Sequence, residues 1–331
     1  GVPLVYSAKS GSADQAIQKF FVGDGQKLYD AITDNGGGQE DAMSDNKAIV
    51  PLDVSKIKNW KNLIPAYNEG NVAANTIRNK KGEIVGVPYI SNADSMAYNK
   101  TKVGGDIDTW DALFDSQFKG YAAMQNDSGP TLTTTAVYLK ESGKQDIVNP
   151  SDMSKSEVKG VCEFLINMKK KGQFRTFWDG FGNGVDLLAS EEVLVSSCWE
   201  PIAVIAAKKG ADIHYGTMKE GHQTWNNVWM LTKGGKQRGQ EDNFYKLMDL
   251  YLSPWFGART LSGLGFTPQM TGVNEYVDAN PKDFDAKKKA GIAERLKNKA
   301  ARMAVKGNSW QNLYPKEMRA YQDWWSKVQA A

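Results

Sequence analysis

Between Gly120 and Ser197 short apolar runs alternate with longer runs of helical period, and no other feature of the chain constrains its fold as tightly. Gly120-Tyr-Ala-Ala-Met124 reads as a strand ending at Asn126-Asp-Ser-Gly-Pro130, and the helix after Pro130 opens on Thr131, Thr133, Thr134 and Thr135. A helix follows from about Ser156 to Lys171, then a strand over Phe174–Phe177, a helix starting near Phe181, and a buried strand over Glu192–Ser197. Strands separated by helices predict a mostly parallel sheet, and hence an α/β protein. In such sheets ligands sit outside the carboxyl ends of the strands. The run Val195-Ser-Ser-Cys-Trp-Glu-Pro201 thus turns Trp199 and Glu200 toward a small molecule, just before Pro201 opens a helix to about Lys209.

At 331 residues and 36.5 kDa the chain is too long for one compact core and suits two α/β lobes. Leu4-Val-Tyr6 reads as a brief strand, and Ser12 can cap a helix with Ala13, Ile17, Phe20 and Phe21 on its apolar face. Tyr29-Asp-Ala-Ile-Thr-Asp-Asn-Gly-Gly-Gly38 is a strand running into a glycine-rich turn and a polar helix, where a ligand could reach backbone amides. Walker spacing is absent there. Glu83–Ile90 and Ser95–Asn99 read as two central strands, after which a second lobe begins with a helix capped by Thr109. Ala211–Gly216 is a further strand, and Trp225–Thr232 returns to the first lobe. A helical stretch over Asp242–Ser262, a turn at Gly265-Phe-Thr-Pro268 and amphipathic helices over 284–305 and 315–329 finish the chain. The expected division is 1–99 with 226–278 as one lobe, 100–225 as the other, and 279–331 as helices packing on one or both.

Charge and motifs exclude several function classes. Lys+Arg 41 against Asp+Glu 38 leaves +3, dispersed apart from Lys287-Lys-Lys289, so nucleic acid is not called for. No run of about 18 apolar residues predicts a membrane span, and the start fits a mature exported chain as well as a cytosolic one. Cys162 and Cys198 allow one bridge at most, and Cys162 lies in a helical apolar pattern that favours a buried thiol. His214 reads as a satisfied core residue in a strand and His222 as a loop residue; neither shares a metal-ligand interval with a carboxylate or cysteine. Gly180-Phe-Gly-Asn-Gly184 misses dinucleotide spacing, and no Gly-x-Ser-x-Gly elbow occurs. The chain therefore reads as no enzyme and as needing no cofactor or metal; the alternative of another class is a two-lobed cleft enzyme acting on a small amine, with Asp127 or Glu200 as general acid or base.

What recurs is aromatic surface beside acid or amide groups: Tyr89, Trp178 with Asp179, Trp199 with Glu200, and Trp225 with Asn226 and Asn227. Aromatic faces attract ammonium groups, by roughly 0.5–2 kcal/mol per good contact, and carboxylates balance the charge. A small amine or amino acid fits that combination.

The runs Tyr29-Asp-Ala-Ile, Pro51-Leu-Asp-Val-Ser-Lys-Ile, Val87-Pro-Tyr-Ile and Met96-Ala-Tyr-Asn, with Trp199, Trp225 and Gly265-Phe-Thr-Pro268, resemble the spermidine/putrescine-type periplasmic substrate-binding proteins of ABC importers. The resemblance implies a two-lobed type II periplasmic-binding-protein fold, with a ligand cleft between lobes joined by two crossing strands and hinges near Tyr98-Asn99 and Trp225–Trp229. It also implies a periplasmic monomer, its leader removed, that closes on a small-molecule ligand and meets a membrane permease. Trp199 and Trp225 match tryptophans that sandwich a polyamine, and Asp127 matches an amine-binding carboxylate. Asn227 and Pro130 stand where two further acids would be, and Asp34-Asn35-Gly-Gly-Gly38 replaces hydroxyl and tyrosine residues.

Losing two carboxylates removes most of the compensation for two buried ammonium groups. With Asn92 and the Thr-rich helix start, these changes look better suited to a ligand with one amine and one carboxylate, such as γ-aminobutyrate or an opine, with Glu200 as a replacement acid; the expected ligand is a polyamine or a related amino compound, open between these. The candidate ligand-binding residues from the first strands are Asp34, Asn35, Tyr89, Ser91, Asn92 and Asp94. Those further on are Asp127, Ser128, Trp178, Asp179, Trp199, Glu200, Trp225 and Asn227. Family members begin with a strand and helix ahead of the one that Gly1-Val-Pro-Leu-Val5 resembles, so that first unit is expected to be missing from the numbered chain.

Overall fold

A computed structural model of the chain describes Val5, Ile17 and residues 20–331. The strand read at Leu4–Tyr6, the Ser12 cap and the comparison of Gly1–Val5 with a family strand fall outside that range, apart from Val5 itself. Among the described residues the strands are β1 (Ala31–Asn35), β2 (Val87–Asn99), β3 (Ala122–Gln125), β4 (Phe174–Trp178), β5 (Val195–Cys198), β6 (Ile213–Tyr215), β7 (Gln223–Leu231), β8 (Thr267–Pro268) and β9 (Ser309–Trp310). The principal helices are α1 (Gln39–Asp45), α2 (Ser128–Glu141), α3 (Lys155–Lys170), α4 (Gly180–Ala189), α5 (Glu200–Lys208), α6 (Glu241–Tyr251), α7 (Pro254–Gly263), α8 (Ala286–Met303) and α9 (Met318–Ala330). No described helix is long and apolar enough to cross a membrane.

The chain divides into two compact units. Unit 1 runs to Ser91 and takes up Trp225–Ser262 and Thr267–Ala293, while unit 2 holds Asn92–Thr224, Gly263–Phe266 and Glu294–Ala331. The changes of unit fall inside β2 at 91/92 and inside β7 at 224/225. In β2 that is several residues before the expected hinge at Tyr98-Asn99.

The two strands expected over Glu83–Ile90 and Ser95–Asn99 are one strand of 13 residues. The polar run Ser91–Ser95 suggested a break, but its side chains find buried partners: Ser91 Oγ accepts from Gln269 Nε2 (2.8 Å) and Ser95 Oγ donates to the Gly216 carbonyl (2.8 Å). Polar residues with such partners do not interrupt a ladder, and neither Gly nor Pro stands among them to force a turn.

In unit 1, β1 and β7 pair antiparallel from Ala31↔Leu231 to Asn35↔Asn227, and Ile90 and Ser91 of β2 pair with Pro268 and Thr267 of β8. Helices α6 and α7 carry Phe244, Tyr245, Met248, Ala258 and Leu261 into its interior.

Unit 2 holds the expected parallel sheet, with β3 between β4 and β5 and parallel to both. Ser95–Tyr98 of β2 runs antiparallel to β5, and Ala97–Asn99 antiparallel to β6. Helix α3 begins where Ser154 and Glu157 form a reciprocal capping box, so its N-terminus is set locally. One core joins Trp110, Leu132, Tyr138, Val161 and Leu165 to Tyr321 and Trp325 of α9, and Cys162 lies within it. Burying a large aromatic or aliphatic side chain there contributes roughly 1.5–3 kcal/mol. The last helix thereby belongs to unit 2. Cys162 and Cys198 are free and buried, and burial pushes the Cys162 thiol up to about 12, out of reach of thiolate chemistry at neutral pH.

Candidate functional site

Strand alternation decides what unit 1 presents. Along β7, Trp225, Asn227 and Trp229 share one face and Asn226, Val228 and Met230 the other. Directly paired residues of an antiparallel ladder also share a face, so Asn35 lies beside Asn227 and Thr33 beside Trp229. Asp34 pairs with Val228 on the opposite face, 7% exposed, where its Oδ1 accepts the Asn35 amide N–H (2.8 Å). Asp34 and Asn35 therefore do not act together, as their adjacency in sequence had suggested.

On the Trp229 face stands an aromatic group of which only Tyr89 was in the sequence-derived set. Tyr89 packs on Trp229 (6.1 Å between ring centroids) and edge-on to Tyr251 (5.1 Å), and Tyr251 packs on Phe256 (4.5 Å). The Tyr89 hydroxyl accepts from Thr33 Oγ1 (3.1 Å). Trp229 could have been found from its period-two relation to Trp225 and Asn227. Tyr251 and Phe256 come from α6 and α7, and no local pattern points to them.

Behind β7 runs a buried polar chain. Gln269 Nε2 donates to Ser91 Oγ, Tyr67 Oη donates to Gln269 Oε1 (2.7 Å), and Asn226 Nδ2 donates to Tyr67 Oη (3.0 Å) and Thr76 Oγ1 (2.7 Å). Ser91, 2% exposed, is thus committed to this chain. Gly36 must stay small beside it, since a Cβ there would come within 2.5 Å of Asn226 Oδ1 and 2.9 Å of the Thr76 carbonyl. Gly36→Ala is expected to destabilise by about 1–3 kcal/mol. An unchanged thermal midpoint would show that Asn226 and Thr76 can move aside.

The glycine-rich turn is not open to a ligand as expected. The amides of Gly37 (3.1 Å) and Gly38 (2.9 Å) donate to the Glu40 carboxylate two or three residues on. Glu40 is 3% exposed, and burial raises its pKa to about 7 although both amides hold it down. The turn is capped from within its own helix.

In unit 2 the sequence-derived residues separate by role. Trp178, 1% exposed, belongs to the core with Val185, Leu188 and Ile202, and its indole donates to the Ser197 carbonyl (3.0 Å), so it is a packing residue. Trp199 is half-buried, its ring edge-on to Trp178 at 5.3 Å, at the carboxyl end of β5 where it was expected. Asp127 caps α2 by accepting from the Gly129 amide (2.9 Å), and Ser128 is the first residue of that helix. Asp179 is exposed and accepts from Asn126 Nδ2 (3.0 Å). The threonines of α2 are buried, and Thr131 and Thr135 donate to the Gln125 (2.6 Å) and Thr131 (2.7 Å) carbonyls; these two hydroxyls bond the chain itself.

Glu200 departs most from its expected role. Its carboxylate is 7% exposed and takes Lys299 Nζ and Arg302 Nη2 (2.6 Å), both from α8 and both 2% exposed. Burial pushes the Lys299 ammonium down to about 8, with Glu200 holding it up. Asn92, fully buried, touches the same group, its Oδ1 3.4 Å from Lys299 Nζ and its Nδ2 3.4 Å from Asp94 Oδ1. Arg302 lies over the Tyr215 ring at 4.9 Å. The acid expected to serve an amine ligand is already neutralised twice over.

His214 lies in a strand and His222 outside one, as read from sequence, but their burial is the reverse of that expected. His222 is fully buried, accepts the Met218 amide at Nε2 (2.9 Å) and bonds Asn308 Oδ1 through Nδ1 (3.0 Å); burial lowers its pKa to about 4. His214 is exposed and bonds Asp212 (3.0 Å). Among the described residues no group of three His, Cys, Asp or Glu could hold a metal ion. A cavity of about 300 Å³ in unit 2 is lined by Lys169, Phe174, Arg175, Phe177 and Trp325, and by none of the sequence-derived residues. Lys169 there donates to the Val328 (2.7 Å) and Gln329 (2.9 Å) carbonyls and so fastens the end of α9.

Solved structures of the same architecture identify the fold. A spermidine/putrescine ABC transporter substrate-binding protein PotD from Streptococcus pneumoniae, in complex with calcium and HEPES, matches with a TM-score of 0.71 at 14% identity, over 97% of this chain and 89% of that one. A GABA receptor matches with a TM-score of 0.65 at 16% identity, over 97% and 88%. The binding protein MotA from A. tumefaciens, in complex with glucopine, matches with a TM-score of 0.66 at 15% identity, over 95% and 87%. The fold is the two-lobed type II periplasmic-binding-protein fold. Residues 9–292 match the family described as bacterial extracellular solute-binding protein, and the chain belongs to that family.

Proposed function

We propose that this chain is the substrate-binding protein of an ABC importer, working as a monomer outside the cytoplasmic membrane and handing a small amino compound to a membrane permease. Ligand-driven closure, selecting a form that the permease recognises, would be its working step. Within that class we favour a solute with one amine, such as γ-aminobutyrate or an opine, over putrescine or spermidine. The observation that carries this preference is the state of Glu200, whose carboxylate is held by Lys299 and Arg302. With Asn227 and Pro130 already in place of acids, Glu200 offers no unpaired charge to balance a second buried ammonium. Trp199, half-buried at the carboxyl end of β5, supplies the ring for the amine-bearing chain.

The test is titration calorimetry of ligand-free, refolded protein against putrescine, spermidine, γ-aminobutyrate and glucopine. Tighter binding of a monoamine than of either polyamine is expected, with the bound compound recovered unchanged. Putrescine or spermidine binding tightest would overturn the ligand preference, and silence across the panel would overturn the amino-compound reading itself. Trp199→Ala is expected to weaken binding by on the order of 1–3 kcal/mol with little loss of stability. A lowered thermal midpoint at unchanged affinity would instead make Trp199 a packing residue.

A further inference from the structure

We infer that Trp229 and Asn227 select a solute whose end is hydroxylated, so that the unit 1 face recognises a polyol-like group in preference to an ammonium or a carboxylate. This rests on the binding-protein reading above. Trp229 is 6% exposed, and neither its Nε1 nor the buried Asn227 Oδ1 has a hydrogen-bond partner among the described residues. A buried donor or acceptor left unmet loses its hydration without compensation, which makes two on one face of one strand a costly arrangement unless something else bonds them.

The surrounding groups narrow what that can be. Thr33 and Asn35 beside them on β1, and the Tyr89 and Tyr251 rings packed on Trp229, carry no charge, and Asp34 is turned to the opposite face. An ammonium could donate to Asn227 Oδ1 but cannot accept from the indole N–H. A carboxylate could accept from the indole but cannot donate to the amide oxygen, and no cation stands among these neighbours to balance it. A hydroxyl does both. The C–H face of a hydroxylated carbon chain would lie on the rings of Tyr89, Tyr251 and Phe256.

Two matched pairs of compounds test this by calorimetry: γ-aminobutyrate against β-hydroxy-γ-aminobutyrate, and glutamine against N-glucityl-glutamine. The hydroxylated member of at least one pair is expected to bind about tenfold tighter or more, because a site built around a hydroxyl leaves its own polar groups unmet when the hydroxyl is missing. Trp229→Phe keeps the ring and removes the N–H, and is expected to bring that ratio to within about threefold by weakening the hydroxylated member far more than the plain one. Asn227→Leu should act in the same direction, with thermal midpoints confirming that both variants fold. Equal affinities within both pairs on the unaltered protein, or a preference that survives both substitutions, would overturn the inference and leave the binding-protein reading standing. If neither these compounds nor putrescine and spermidine bind, the amino-compound reading falls and takes this inference with it.

Discussion

Replacing Glu200 by alanine is expected to destabilise the protein at pH 7 by about 3–5 kcal/mol, the range for breaking a buried ion pair by removing one partner. The substitution would leave Lys299 and Arg302, each 2% exposed, without the carboxylate that both contact. Lys299 can relieve the strain by losing its proton, whereas Arg302 cannot. The Lys299 pKa already sits at about 8 against an ordinary 10.5 and should fall further once Glu200 is gone. A native state that binds fewer protons than the unfolded chain gains stability as pH rises, so the deficit of Glu200→Ala should shrink between pH 7 and pH 9. Urea unfolding at the two pH values measures this, and adding Lys299→Met should restore part of the loss. A deficit under about 1 kcal/mol would mean that Glu200 is solvated and free to meet a ligand after all.

The second large effect concerns Glu40. Burial raises its pKa from 4.5 to about 7, so between those values the native state keeps a proton that the unfolded chain has released. Its contribution is complete below pH 4.5 and is lost as pH rises through 7, by on the order of 3 kcal/mol. Glu40→Gln, which keeps an acceptor for the Gly37 and Gly38 amides, is expected to match the unaltered protein near pH 4.5 and exceed it in stability near pH 8. Parallel curves for the two proteins across that range would refute a buried, proton-holding Glu40.

Much of unit 2 was legible in the sequence because its signals are local. The helix at Lys155–Lys170 announces itself through Ser154 and Glu157, and Phe174–Trp178 and Val195–Cys198 through short apolar runs between helical ones. The position of Trp199 at a strand end followed from the same pattern. Side-chain commitments did not. Trp178 ends a strand and Trp199 follows one, each just ahead of a helix, yet one is sealed in the core and the other half-buried. His214 and His222 traded places because burial is set by what packs over a residue, and Asn308, which orients His222, lies 86 positions further along.

The sequence by itself determined the α/β class, the succession of strands and helices and the family, since hydrophobic period, caps and turn residues act over a few positions. Only the tertiary structure decided which groups remain available to a solute. Glu200 is neutralised by residues 99 and 102 positions away, and the rings beside Trp229 arrive from two separate helices. Ion pairing, desolvation and aromatic packing depend on distances in space, and those are fixed only when distant segments of the chain meet.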